Sequence, residues 1–430
     1  MKADLAVMAW IALLTPAAAI AVEVPAASPF DYNVGINYET YTAGRHNRNI
    51  AADLNQITQY FGLIKTFHSD PVGVPPGYNP ATVGMDPTEQ QVVNYVDTHT
   101  GPGGGTLQLV IGTSNAVLSQ SGAACGGSGY CAGLLDDGLN PKNDANYATD
   151  YVKMLINSFG SVANVQKHVA TILLGNEIDT NPPPTTDPNF TAYYQTWVPT
   201  AFENLKAALS AAGLGSIPVS TTIANYPSTP RANLVAAYDT TYITQHWSPN
   251  WNGGKPFVLF NQYTLPPTST DFSHVSSYID NLESQFAGQP EAFLGETGFS
   301  AEYGGVANEA NVIGQMFNNW LTPQYNAAGR TIPSFIFEAF DLPAAPVGQQ
   351  QFGIFQDDPS TNAPEGLKTG IQIPSWVGTP LKATTKAQLG WGYYAAAVPE
   401  PASFGLLTTG VAGLLLLRRG RGKPGGRQDS

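Results

Sequence analysis

Two glutamates stand at points where an apolar strand gives way to a loop. Glu177 follows the apolar run 169–174, and Glu296 follows the run 292–294. Burying an unpaired carboxylate is costly, whereas the C-terminal mouth of a parallel barrel is where catalytic groups collect. Cleavage of a glycosidic bond needs two carboxyl groups, one to protonate the leaving oxygen and one to attack the anomeric carbon. The pattern predicts that Glu177 and Glu296 form such a pair; the alternative is a first-turn helix acid or a surface loop residue for each.

Strand and helix patterns alternate along the chain, which is typical of a parallel sheet wrapped by helices. We predict a single α/β domain, a (β/α)8 TIM barrel over residues 30–395, with no internal repeat. The predicted strands are 32–37, 63–68, 107–111, 169–174, 219–224, 257–263, 292–294 and 334–340. The predicted helices are 49–61, 88–97, 145–159, 193–212, 275–286 and 309–321. This order places the two glutamates at the ends of strands four and seven.

Both ends of the chain predict export. Residues 1–21 combine Lys2, an apolar stretch and a small-x-small cleavage pattern, as a secretory signal peptide does. Residues 398–421 hold Pro-Glu-Pro, an apolar run and an arginine cluster, and they resemble the PEP-CTERM sorting tail of Gram-negative bacteria. The apolar run is shorter than the ~20 residues of a membrane span. We therefore expect transient inner-membrane association, removal by an exosortase-type sorting protease, and location in the periplasm or at the cell surface; a permanent anchor is the alternative.

The composition narrows the class of ligand. A net charge of -13 with only 12% charged residues disfavours a nucleic-acid partner. A surface of neutral polar and aromatic residues suits a neutral polysaccharide or oligosaccharide. Cys125 and Cys131 are the only cysteines, and in an exported protein we expect them to form a disulfide. No Cys/His set has the spacing of a zinc site, so the sequence predicts no metal and no cofactor.

Several motifs resemble glycoside hydrolase family 17, the β-1,3-glucanase group within the clan of retaining (β/α)8 glycosidases. The most specific is the Glu-Thr-Gly motif that begins at Glu296. The matching segments are Gly35 to Tyr38, Ile64 to Phe67, Asn176 with Glu177, Asn261 to Tyr263, Glu296 to Gly298, Phe337 to Asp341, and Phe352 to Phe355. The chain departs from the family after Asp341, where Leu342 to Ala345 replace an acidic residue, Pro, Trp and Lys, and at Phe299, where Trp-Pro is common.

The resemblance implies a role for each matching residue. Glu177 would be the acid/base, Glu296 the nucleophile and Asn176 the ligand of the sugar 2-hydroxyl. Tyr263 would orient the nucleophile by a hydrogen bond, while Tyr38 and Glu338 would line the subsite of the distorted ring. The alternative for Tyr38, Tyr263 and Glu338 is packing at the barrel rim. Four aromatic residues are candidates either for stacking on sugars or for the core: Trp247, Trp251, Phe299 and Phe340.

Other enzyme classes fit poorly. Residues 126–130 depart from the G-x-S-x-G elbow of serine hydrolases at the last position. The glycine cluster 101–105 precedes a strand, whereas a dinucleotide loop follows one, and no H-E-x-x-H motif is present. Two readings stay open beside a β-glucan hydrolase. One is a transglycosylase that uses the same site, and the other is a carbohydrate-binding barrel that has lost turnover.

Overall fold

Eight parallel strands close into a barrel in the computed structural model of the chain. The ring is sealed at the fifth strand, whose first half pairs with the fourth strand and whose second half pairs with the sixth. The first strand pairs with the eighth. The strands are β1 Val34–Asn37, β2 Leu63–Lys65, β3 Gln108–Gly112, β4 Val169–Leu173, β5 Val219–Ser220 with Thr222–Ile223, β6 Phe257–Asn261, β7 Glu291–Thr297 and β8 Ser334–Ile336. The predicted (β/α)8 fold is confirmed.

Helices connect the strands where the chain is described. They are α1 Ile50–Ile57, α2 Pro80–Val83, α3 Pro87–Thr98, α4 Tyr147–Phe159, α5 Val162–His168, α6 Val198–Ala211 and α7 Val306–Gln315. The predicted helix 193–212 opens with a π-turn, Tyr193–Trp197, and becomes α-helical only at Val198. Pro199 lacks the N–H that an uninterrupted α-helix needs at that point, which accounts for the irregular first turn. A second π-turn, Met316–Leu321, follows α7.

The structure describes residues 30–40, 48–70, 79–127, 129–136, 146–180, 183–184, 186–224, 257–263, 275, 291–321, 333–357 and 364–381. All of them belong to one compact unit, residues 25–393. Among these residues, no helix is long and apolar enough to cross a membrane. The predicted signal peptide, sorting tail, Trp247, Trp251 and nearly all of helix 275–286 lie outside the described residues.

The barrel interior changes from apolar to polar along the strands. A buried cluster fills it toward the strand N-termini: Phe30, Tyr32, Leu63, Val110, Ala170, Leu173, Phe257, Leu259, Phe293, Phe335 and Leu381. Side chains alternate between the two faces of a strand, so Lys65 shares the face of Leu63, and Asn261 that of Leu259. Both polar residues are buried. The polar layer therefore lies at the C-terminal end of the barrel, where the sequence predicts the glutamates.

A hairpin of strands Ser119–Ser121 and Tyr130–Ala132 follows β3. A disulfide joins Cys125, in the loop of the hairpin, to Cys131, in its second strand, which confirms that prediction. The Tyr130 carbonyl accepts a hydrogen bond from Asn189 Nδ2 at 2.9 Å. The hairpin is thereby fastened to the segment that precedes α6.

Candidate active site

Glu177 lies in a tight turn directly after β4. Its φ of 49° and the φ of 67° at Gly175 are left-handed, a conformation that costs energy for residues other than glycine. Side chains from the end of β3 hold the turn. Gly175 N–H donates to Thr113 Oγ1 at 2.9 Å, and Asn115 exchanges hydrogen bonds of 2.8 and 3.0 Å with the backbone of Asn176. These bonds fix the conformation that presents Glu177 at the barrel mouth.

The second half of β5 supports the same turn. Thr222 Oγ1 accepts the N–H of Glu177 at 2.7 Å and donates to Asn176 Oδ1 at 2.7 Å. Because the oxygen of the Asn176 amide is engaged, its NH2 group is the part that a ligand can use. From β6, Asn261 Nδ2 donates to Glu177 Oε1 at 2.9 Å. One hydroxyl and one amide thus orient both residues of the Asn-Glu pair.

Glu296 lies within β7, which is longer than the predicted strand 292–294. The pairing of β7 with β6 skips one residue between Leu294 and Glu296, so that Glu296 stands opposite Asn261. The skipped residue is Gly295, where a Cβ would come within 2.7 Å of Asn261 Oδ1 and 2.8 Å of Leu259 Cβ. Such a bulge re-aims the side chain that follows it. Glycine at this position therefore allows the bulge that turns the Glu296 side chain toward the buried polar residues at the C-terminal end of the barrel.

Two donors hold the carboxylate of Glu296. Lys65 Nζ lies 2.8 Å from Oε1, and the Tyr263 hydroxyl donates to Oε2 at 2.8 Å. The Tyr263 contact is the one that the sequence analysis expects. The role of Lys65 was not foreseen, although a lysine inside the apolar run of β2 is a signal in itself, because a buried ammonium needs a partner. Its side chain is 1% exposed.

Burial shifts the pKa values of three groups in the site, Glu177, Lys65 and Tyr263. Burial, and to a smaller extent the charge of Glu296, raise the pKa of Glu177 to about 7 against the opposing effect of the hydrogen bond from Asn261. Burial lowers the pKa of Lys65 against the attraction of Glu296. Burial also raises the pKa of Tyr263 well above its usual value, so its hydroxyl remains a donor.

A cavity of about 540 Å³ opens between the two glutamates. Its size falls within the range of about 300–1,000 Å³ that small-molecule sites occupy. One wall is polar: Glu39, Phe67, His68, Asn176, Glu177, Tyr263 and Glu296. The other comes from the loops after β7 and β8 and is largely apolar: Gly298, Phe299, Ser300, Tyr303, Phe337, Leu342, Ala345, Val347, Gly348, Gln349 and Phe352.

The structure does not place Tyr38 and Glu338 among the described residues that line this cavity. Tyr38 is 1% exposed, and its hydroxyl donates to Asp53 Oδ2 at 2.7 Å, which ties β1 to α1. The expectation that Tyr38 lines the subsite is corrected in favour of this packing role, because its polar atom points to the helix layer. Glu338 is also 1% exposed, and its charge is near enough to raise the pKa of Tyr263. Glu338 is therefore a buried residue near Tyr263, and its expected place in the subsite wall is not seen among the described lining residues.

The aromatic candidates separate in the same way. Phe299 lines the cavity, and it is 3% exposed. Phe340 packs beneath the Arg48 guanidinium, whose carbon lies 3.9 Å from the ring centroid, and Phe340 is not among the described lining residues. Of the two, Phe299 alone lines the cavity.

Comparison with known proteins leaves the chain without a family assignment from sequence. No family model matches, and no curated protein matches. A family 17 β-1,3-glucanosyltransferase from Rhizomucor miehei is 15% identical, with 81% of this chain and 98% of that chain covered and a TM-score of 0.44. A plant β-glucan endohydrolase is 17% identical, with 75% and 96% covered and a TM-score of 0.45. A β-glycosidase is 12% identical, with 88% and 100% covered and a TM-score of 0.50, a likeness that concerns the barrel fold.

Proposed function

We propose that the protein is a retaining β-glycosidase that acts on a neutral β-glucan. The observation that carries the proposal is that two glutamates from the ends of β4 and β7 line one cavity in contrasting surroundings. Glu296 is held and oriented by hydrogen bonds from Lys65 and Tyr263. Glu177 has a pKa of about 7, which suits a group that must hold a proton and then release it.

In the first step Glu296 attacks the anomeric carbon. Glu177 gives its proton to the glycosidic oxygen, the bond from the anomeric carbon to that oxygen breaks, and the sugar becomes an ester of Glu296. Lys65 and Tyr263 fix the orientation of the attacking carboxylate. The NH2 group of Asn176 donates to the sugar 2-hydroxyl as positive charge develops on the ring.

In the second step Glu177 changes role. Once Glu296 is an ester, its negative charge is lost, and one of the causes that raise the pKa of Glu177 disappears. The carboxylate of Glu177 then accepts a proton from the incoming water, which attacks the anomeric carbon and releases Glu296. A sugar hydroxyl in place of water would give transfer by the same route.

Product analysis tests the reaction class. Purified protein is incubated with laminarin, mixed-linkage glucan and β-1,4-glucan, and the products are sized. Shorter chains indicate hydrolysis, and chains longer than the input indicate transfer. Binding without any product would show a barrel that has lost turnover and would refute the proposal.

Azide rescue tests the two roles. Glu296→Ala should abolish turnover, and azide should restore it by attacking the open face to give the α-glycosyl azide. Glu177→Ala should keep activity on substrates with good leaving groups, which need no protonation, and azide should give the β-glycosyl azide. The two products are distinguished by NMR. The same azide anomer from both variants would contradict the assignment.

We also propose that the chain is exported and sorted through its ends. The support is the sequence alone: the signal pattern in residues 1–21 and the three-part pattern in residues 398–421. Cleavage near Pro399 to Pro401 would release the barrel from the inner membrane. Mass spectrometry of the native protein is the test, and a mature protein that still ends at Ser430 would refute sorting by cleavage.

A further inference from the structure

We infer that Glu39 and His68 form a second sugar subsite, which binds the next uncharged ring on the non-reducing side of the cleaved bond. This inference rests on the proposed function and assigns two cavity residues that the reaction itself does not use. Neither residue was a candidate on sequence grounds.

Adjacent strands bring the two residues to one rim. β1 and β2 pair in register, with Ile36 opposite Ile64 and Asn37 opposite Lys65. Glu39 follows β1 by two residues and His68 follows β2 by three, and both residues line the cavity. Phe67 lines it beside them. A carboxylate, an imidazole and an aromatic ring are the groups that a hydroxyl-rich ring can use.

The ring of His68 has polar capacity that the protein leaves unused. Among the residues that the structure describes, none hydrogen-bonds to Nδ1, and this atom is sealed from solvent. Nε2 is therefore the ring nitrogen that remains to exchange a hydrogen bond with a ligand. Burial lowers the pKa of His68, so the imidazole is neutral near neutral pH and its Nε2 can exchange a hydrogen bond with a hydroxyl.

The position of the acid decides on which side of the cleaved bond the subsite lies. The leaving group lies beside the acid that protonates it, and Glu177 stands at the end of β4. Asn261 and Tyr263 bind the two glutamates from the β6 side of the ring. β1 and β2 lie on the other arc, between β8 and β3. A sugar chain that continues away from the leaving group is thus directed toward Glu39 and His68.

Charge determines which ring fits. Three carboxylates line the cavity, those of Glu39, Glu177 and Glu296, and no lysine or arginine is among its described lining residues. Glu39 also lies near enough to Lys65 to raise its pKa. A uronic acid next to Glu39 would meet a like charge at short range, whereas neutral hydroxyls donate to its carboxylate.

The test compares substrates of one and two sugar rings on the full-length protein. The probes are nitrophenyl β-glucoside, with one ring, and nitrophenyl β-laminaribioside, with two. The quantity compared is kcat/KM for the two-ring probe divided by kcat/KM for the one-ring probe. We expect Glu39→Gln and His68→Ala each to lower the ratio in favour of the two-ring substrate about tenfold, equivalent to about 1.4 kcal/mol. Glu203→Gln is the charge-matched control: Glu203 is 53% exposed on α6, and its removal should leave the ratio unchanged.

Two results would overturn the inference. One is an unchanged ratio in both variants, and the other is an equal loss on both substrates, which would place the residues at the first ring. If the wild type cleaves neither the probes nor the glucans, the proposed function fails; where it does not cleave the probes, the affinity for laminaritriose, measured by calorimetry, decides the subsite separately. Equal affinities of the wild type, Glu39→Gln and His68→Ala would then refute it.

Discussion

Replacing Asn261 with leucine should extend activity to higher pH. Asn261 Nδ2 donates to Glu177 Oε1 at 2.9 Å, and this bond stabilises the ionised carboxylate. It therefore opposes burial and the charge of Glu296, which together raise the pKa of Glu177 to about 7. Leucine keeps a similar volume and cannot donate. Without the bond, Glu177 holds its proton to higher pH, and so the acid form that starts the reaction persists.

The size of the shift follows from the strength of the bond. A hydrogen bond to a charged group contributes roughly 1.5–3 kcal/mol, and one pKa unit corresponds to about 1.36 kcal/mol. The pKa of Glu177 should rise by about one to two units. The alkaline limb of kcat/KM should move upward from about 7 by that amount.

The substrate in this assay must be an oligosaccharide with a poor leaving group. A good leaving group departs without protonation, so kcat/KM would no longer depend on the protonation of Glu177 and the alkaline limb would not be seen. Thr222→Val is the matched control. It removes the hydroxyl that accepts the Glu177 N–H at 2.7 Å but makes no contact with the carboxylate. This control should lower kcat/KM and leave the limb in place. An alkaline limb in Asn261→Leu that is unchanged or moves to lower pH would refute the reasoning.

Three further predictions concern residues other than the two glutamates. Lys65→Met should lower kcat by about 100-fold or more, since it removes a buried donor from Glu296, the proposed nucleophile, with partial recovery in Lys65→Arg; wild-type kinetics in the Met variant would contradict this. Lys368→Met should lower the free energy of unfolding by about 3 kcal/mol in urea titrations, because it strands the fully buried Glu309; an unchanged midpoint would exclude it. Replacing Cys125 and Cys131 with serine opens a loop of sequence separation 6 and should cost about 2 kcal/mol or less. Because no described residue of that hairpin lines the cavity, kcat/KM should stay the same, and a changed value would place the hairpin at the site.

The sequence predicts the barrel and its two glutamates because both depend on local pattern. The apolar runs before Glu177 and Glu296 end abruptly, and a carboxylate at such an end is visible without a structure. The strand lengths were less accurate: β8 ends at Ile336, whereas the pattern predicts residue 340. Beyond that point the chain remains buried but leaves the sheet, and an apolar pattern does not distinguish these two states.

Long-range partners were beyond sequence reasoning. Lys65 and Glu296 are 231 residues apart, and no spacing rule joins them. The bulge at Gly295 depends on its neighbours in β6, which periodicity within β7 does not contain. Tyr38 is the opposite case. Its motif predicts a place in the cavity wall, whereas its hydroxyl donates to Asp53 in α1.

The seam at β5 links the mechanical integrity of the barrel to its chemistry. Thr221 Oγ1 donates to the Leu174 carbonyl at 2.6 Å, and the next residue, Thr222, holds the backbone of Glu177. The bond that closes the ring and the bond that positions Glu177, the proposed acid, thus come from neighbouring residues. A barrel that parts between β4 and β5 loses its acid geometry while its helices are still folded. Enzyme activity should therefore report whether the ring of strands is closed. It should be lost at a lower urea concentration than the helical circular-dichroism signal.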